Sequence, residues 1–249
     1  MSDPDTKIGG ASSRFPQTER TVLAALRSSD AEQRSRAAGR LLNSYWKPVY
    51  KYVRLKWRKS NEEAKDLVQE FFARAIEKDF FSSYEPGRAA FRTFLRTLVD
   101  RFVSNQAKAE RRLKRSGQAG PDLDLESAER EISVHVSDDA LSMEEFFHRE
   151  WVRNLFSCAV EDLRVECHSS GRSTHFAIFE LYDLEDSPGQ KLTYAALADR
   201  FEIPVTMVTN HLSGMRRRFR EIVLDRIREM TATEDEFRAE ARAALGVET

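Results

Sequence analysis

The sequence predicts an all-α protein of two small helical domains joined by an acidic linker. Three observations carry this expectation. Apolar residues recur at helical spacing along most of the chain, and no segment alternates as a half-buried strand would. Only 10 Gly and 33% charged residues in 249 describe a helical, heavily solvated chain, while 41% apolar residues suffice for a core. The near-zero net charge of −1 hides a segregation: Phe91–Arg115 holds eight Lys/Arg against two acids (+6), and Ser116–Phe147 holds nine acids against one Arg (−8).

The elements follow in chain order. Residues 1–17 are polar and aperiodic, an expected disordered tail. A first helix is expected over Thr18–Arg27, and a second over Ala31–Arg58. Leu41, Leu42, Tyr45, Trp46, Val49, Tyr50 and Val53 are taken as the stripe of the second, with Pro48 a point of bending. Ser60-Asn61-Glu62-Glu63 reads as a helix start, a capping side chain followed by acids at the positive end of the dipole. The helix it opens runs to about Lys78 and buries Leu67, Val68, Phe71, Ala75 and Ile76. Tyr84-Glu85-Pro86-Gly87 is turn chemistry. Phe91–Arg115 is a long basic helix carrying Phe91, Phe94, Leu95, Leu98, Phe102 and Val103.

Domain limits are thus expected at 18–115 and 143–230, with 116–142 an acidic linker and 231–249 an acidic C-terminal tail able to form a short helix. The second domain opens on Phe146, Phe147, Trp151, Leu155 and Phe156. It continues through a loop at His168–Arg172, a helix over His175–Leu184 and a loop at Glu185–Gly189. Two helical faces then follow. Tyr194, Leu197, Ala198 and Phe201 form one, and Val208, Leu212, Met215 and Phe219 the other, with Glu202-Ile203-Pro204 between them. The polar side of the second carries Thr206, Thr209, Asn210, His211, Ser213, Arg216 and Arg217. A tight turn before a polar, basic helix is the arrangement a major-groove reader needs.

Several function classes find no support. No apolar run approaches the ~18 residues of a membrane span, and the N-terminus has no signal-peptide pattern, so a cytoplasmic protein is expected. Cys158 and Cys167 make no disulfide framework. Their spacing matches no zinc pair even with His148, His168 and His175 nearby, so no metal and no cofactor are expected. There is no P-loop, G-x-G-x-x-G, HExxH or nucleophile motif, so the chain is read as no enzyme.

Four stretches together resemble a bacterial RNA polymerase sigma factor of the extracytoplasmic-function (ECF) group. Asp66-Leu67-Val68-Gln69-Glu70-Phe71-Phe72 is close to the DLVQE(V/I)F helix of sigma region 2. Phe91-Arg92-Thr93-Phe94-Leu95 resembles FRTWL and leads into the basic Glu110–Arg115. The helix-turn-helix is similar to sigma region 4. Phe15-Pro16-Gln17-Thr18, Asp79-Phe80-Phe81 and Arg220-Glu221-Ile222-Val223 are similar to a long-connector branch of the group. Lys65, Phe94, Arg101, Glu202 and Pro204 depart from the pattern. A non-glycine residue with positive φ at Glu202 would cost ~1 kcal/mol, whereas Pro204 suits a helix start.

The resemblance implies a sigma factor that binds the β and β′ subunits of RNA polymerase core and promoter DNA, and directs promoter recognition, melting and transcription initiation. It implies no membrane insertion and leaves room for an anti-sigma factor. Asp66, Gln69 and Glu70, which share a helical face, would meet the polymerase clamp. Arg92, Arg96, Arg101, Lys108, Arg111 and Arg112 would hold the melted minus-10 strand, where stacking and cationic tracking of phosphates combine. Thr206, Thr209, Asn210, His211, Ser213 and Arg216 would read minus-35 base edges, while Arg217, Arg218 and Arg220 would hold phosphates. Phe94, Leu98 and Phe102 have the spacing of a core stripe. Rival readings are a dimeric helix-turn-helix regulator that never meets polymerase, and a helical protein-interaction adaptor.

Overall fold

The computed structural model describes residues 21–115, 142–185 and 192–246, with the side chains of 110–115 left out. The described residues are all-α and contain no strand. The helices are α1 (Val22–Ala25), α2 (Ala31–Lys56), α3 (Asn61–Glu77), α4 (Phe91–Arg115), α5 (Met143–Ser169), α6 (Ser173–Phe179), α7 (Tyr194–Phe201), α8 (Val205–Glu229) and α9 (Glu234–Leu245). A 3-10 turn (Phe80–Ser83) follows α3, and a π-turn (Glu180–Leu184) follows α6. Contacts divide the chain into two units: Met1–Asn154 with Arg228–Thr249, and Leu155–Ile227.

Local chemistry explains most helix limits. The Asp30 carboxylate accepts from the Glu32 and Gln33 amides at the start of α2. Ser60 and Glu63 form a reciprocal capping box on α3. Pro48 is buried inside an unbroken α2. α4 differs: Ala90 before it has no capping side chain, and the Phe91 N–H instead donates to Glu236 Oε1 of α9 at 3.1 Å.

In the first unit the core comprises Leu41, Tyr45, Val49, Tyr52 and Val53 of α2, Leu67, Val68, Phe71 and Phe72 of α3, and Phe91, Leu95, Val99, Phe102 and Val103 of α4. Edge-to-face ring pairs bind these helices to each other, among them Tyr45–Phe91 and Phe71–Phe102. The first half of α5 joins this core. Phe147 and Trp151 are buried, and Phe147 meets Tyr52 edge-on. Asn154 donates to the Asn43 and Ser44 carbonyls of α2. The domain limit expected at 142/143 therefore differs from the contact division after Asn154, because Phe147 and Trp151 bury themselves against α2 and α4.

The acidic C-terminal segment forms the short helix expected of it. It returns to the first unit as α9, capped by Thr233 and ended by Gly246 at φ 66°. Phe237 and Ala241 are its buried apolar residues. Burying one phenylalanine contributes about 2–3 kcal/mol, so α9 rests on one modest anchor and its carboxylates. Residues 116–141 of the expected linker and the expected tail 1–17 lie outside the described residues.

In the second unit Phe176, Ile178 and Phe179 of α6 and Leu197 and Ala198 of α7 are buried, as are Val208, Leu212, Met215, Ile222 and Val223 of α8. Cys167 is buried with Sγ 3.6 Å from Met215 Sδ. Both cysteines are free thiols, and no group of three metal-ligating side chains occurs among the described residues.

Candidate nucleic-acid and polymerase interfaces

The α3 face splits. Asp66 and Gln69 are exposed and form no hydrogen bond or ion pair among the described residues. Glu70 is half-buried, accepts from Gln106 Nε2 of α4 at 2.8 Å, and pairs with Arg74 at 2.5 Å. It therefore ties α3 to α4, whereas Asp66 and Gln69 face outward. Beside them opens an apolar groove of about 250 Å³ lined by Leu42, Trp46, Val68, Gln69 and Phe72. Leu42 and Trp46 are 39% and 41% exposed, although the sequence reading placed both in the core stripe of α2. Their i, i+4 spacing is a second stripe, and the surplus width of apolar surface was the available signal.

The cations of α4 sort into three classes. Arg92 is engaged: Nη1 lies 3.2 Å from Glu240 of α9, Nε donates to His148 Nδ1, and the guanidinium lies over Trp151. Arg96 pairs with Glu144 of α5 at 3.3 Å. Arg101 and Lys108 are exposed and unpaired among the described residues. Arg111 and Arg112 continue the helix, but their side chains lie outside the described residues.

Arg101 also lines a cavity of about 450 Å³ with Arg74, Lys78, Phe80, Leu98 and Phe102. Cations and rings share that one hollow. Phe102 is buried as its spacing predicts, whereas Phe94 and Leu98 are only half-buried. Phe94 lies against Tyr84 and Phe91.

The helix-turn-helix forms as its pattern requires. Thr193 caps α7, and Glu202 takes the left-handed conformation at φ 54°, ψ 42°. The Ile203 amide then donates to the Ala198 carbonyl, a closing bond for the helix end. α8 buries Val208, Leu212 and Met215. At ~100° per residue, Thr206, Asn210, Ser213 and Arg217 occupy the opposite face. All four are exposed, and none has a side-chain partner among the described residues.

The remaining expected readers are occupied. Thr209 donates to its own helix at the Val205 carbonyl. Arg216 makes two 2.8 Å bonds to Asp183 and lies over Tyr182; the Asp183 carboxylate raises its already high pKa. Arg218 is shared between Glu166 and Glu221. Glu166 also receives Arg172, and bonding to Arg218 and Arg172 holds its carboxyl below the usual range. His211 stacks on His175 with ring centroids 3.7 Å apart. Burial, then the His211 and Arg172 charges, lowers the His175 pKa.

One comparison bears on part of the first unit. Residues 41–113 match the family model of sigma-70 region 2. This segment is similar to sigma-70 region 2. The match runs from Leu41 in α2 through α3 to Leu113 near the end of α4, so it contains the exposed Asp66/Gln69 pair, the apolar groove and the Arg101/Lys108 face. It supports a sigma-70 family factor with a role in promoter recognition and transcription initiation, and so with RNA polymerase core and promoter DNA as partners. No curated protein and no solved structure matches the chain. The helix-turn-helix unit, the first half of α5 and α9 lie outside the region 2 match. No helix among the described residues is long and apolar enough to cross a membrane.

Proposed function

We propose that the protein is an ECF-group sigma factor of the long-connector branch, a dissociable initiation subunit acting in the cytoplasm. The region 2 match carries this reading, because it covers the helices that present an acidic docking face and a cationic, aromatic face. In this reading, Asp66, Gln69 and the Leu42/Trp46 groove meet the polymerase clamp: apolar burial supplies affinity, and the carboxylate selects a basic partner. Arg101 and Lys108 track the phosphates of the melted minus-10 strand, with the Phe80/Phe102 cavity beside them.

The second unit serves as the region 4-like minus-35 reader. Its outward row of Thr206, Asn210, Ser213 and Arg217 is solvent-facing and uncommitted, as base reading demands. Asn210 has the donor–acceptor pair that suits adenine; Arg217, expected from sequence to hold a phosphate, lies on the same outward row and has the fork that suits guanine.

Co-purification of the full chain with core polymerase, followed by run-off transcription, tests the proposal. Asp66→Lys combined with Trp46→Ala should lower core binding by about tenfold or more, the scale of losing one interface anchor. It should leave helicity and duplex-DNA binding unchanged. Full retention of core binding in that variant would remove the docking face, and failure of the wild-type chain to support run-off transcription would remove the sigma-factor reading.

A further inference from the structure

α9 lies outside the region 2 match yet sits on the first unit, where it touches the helix assigned above to melted DNA. Two of its carboxylates make the contact. Glu236 Oε1 accepts from the Tyr84 hydroxyl at 2.6 Å and from the Phe91 N–H at the start of α4. Glu240, only 6% exposed, accepts from Arg92 at 3.2 and 3.4 Å. Arg92 is thereby held between an acid of α9 and Trp151 of α5.

The balance of forces is that of a detachable element. Phe237 and Ala241 are the buried apolar residues of a 12-residue helix, and the remaining hold on α4 is ionic or hydrogen-bonded. An ion pair buried in this way contributes little net stability but fixes register, and an anion that competes for Arg92 can take the place of the carboxylate. Elements with few buried apolar contacts are those that open first. The first half of α5, anchored by Phe147 and Trp151, is far better secured.

We propose that α9 is an intramolecular cover whose Glu236 and Glu240 withhold Arg92 and the N-terminal end of α4 from nucleic acid, and that its release adds Arg92 to the Arg101/Lys108 track. The occupant of this surface is the chain's own acidic helix. The proposal rests on the assignment of α4 to single-stranded DNA, which the test keeps separate.

The experiment uses the full chain and a fluorescent oligo-dT strand, read by anisotropy across a salt series. Phe237→Ala removes the apolar anchor without changing charge, and a chain ending at Thr231 removes the helix outright. Release is read as hydrogen exchange of residues 234–245 in the first variant, and folding as circular dichroism in both. With α9 released, affinity for the strand should rise about threefold to tenfold, and the salt dependence should steepen by about 0.7, the value for one added phosphate contact on a single strand.

Adding Arg92→Ala to either variant should abolish the gain; Asp235→Asn, which alters an exposed acid of α9, should produce none. Unchanged affinity with α9 released overturns the proposal. So does an α9 whose exchange in Phe237→Ala stays as slow as that of α2, or a truncated chain that is folded and binds no better. Arg101→Ala with Lys108→Ala reports on the prior assignment: if that pair leaves strand binding intact, the α4 assignment has failed whatever α9 does.

Discussion

α4 and α8 are both 25-residue basic helices, and both were read from sequence as nucleic-acid helices by the same logic. They handle their cations differently. On α4, acids that belong to distant segments seat themselves on the flank: Glu144 on Arg96 and Glu240 on Arg92. Arg101 and Lys108 remain outward. On α8, the occupied cations lie beside the outward face, not on it. Asp183 takes Arg216 and Glu166 takes Arg218, while Arg217 stays uncommitted among Thr206, Asn210 and Ser213. A count of basic residues therefore overstates both surfaces, and the error has a direction. The cations nearest the packed side of a helix are those that acids capture, because a charge partly removed from water is costly to leave unpaired.

The sharpest way to break this contrast is to strip the cover from α4. Trp151→Ala should destabilise the first unit by about 3–5 kcal/mol, the usual cost of emptying a large aromatic site. The loss should be seen as faster hydrogen exchange in α2 and α4, with α7 least affected. If α4 exchange stays at its wild-type rate, the first half of α5 does not belong to this unit.

A smaller effect is expected on α8. Arg217→Ala should lower duplex affinity by about 1–3 kcal/mol if its fork reads a base. Arg216→Ala should lower it less, because that guanidinium already holds Asp183. Titration of a promoter duplex with both variants ranks them, and a greater loss from Arg216→Ala would reverse the assignment.

The smallest effect concerns pH. The His175 pKa is lowered in the folded unit, so the unfolded chain binds its proton at higher pH than the folded one. Stability from the neutral His175 ring is fully present above the unfolded value of about 6.5 and declines as pH falls below it. Thermal unfolding of the full chain between pH 7.5 and 5.5 should show the second unit losing stability on acidification. His175→Gln should flatten that dependence. An unaltered slope would show that His175 does not carry it.

Sequence alone determined the local features: the limits of α4, the Ser60/Glu63 box, the helix-turn-helix and the left-handed residue at Glu202. Each depends on residues within one or two turns of one another, where capping, periodicity and turn geometry act. Even the expected short terminal helix was legible, since Thr233 and three following acids start it. The family resemblance was legible for the same reason, because its motifs are contiguous.

The tertiary structure decided which of those surfaces are open. Leu42 and Trp46 left the core because α2 has one buried face and more apolar residues than that face accommodates. Glu70 turned from the docking face to Gln106. Arg92 and Arg96 were claimed by carboxylates 148 and 48 positions away. Helical periodicity states which side of a helix a residue occupies; it carries no information about which distant acid will reach that side, and a buried cation takes whichever partner the packing delivers.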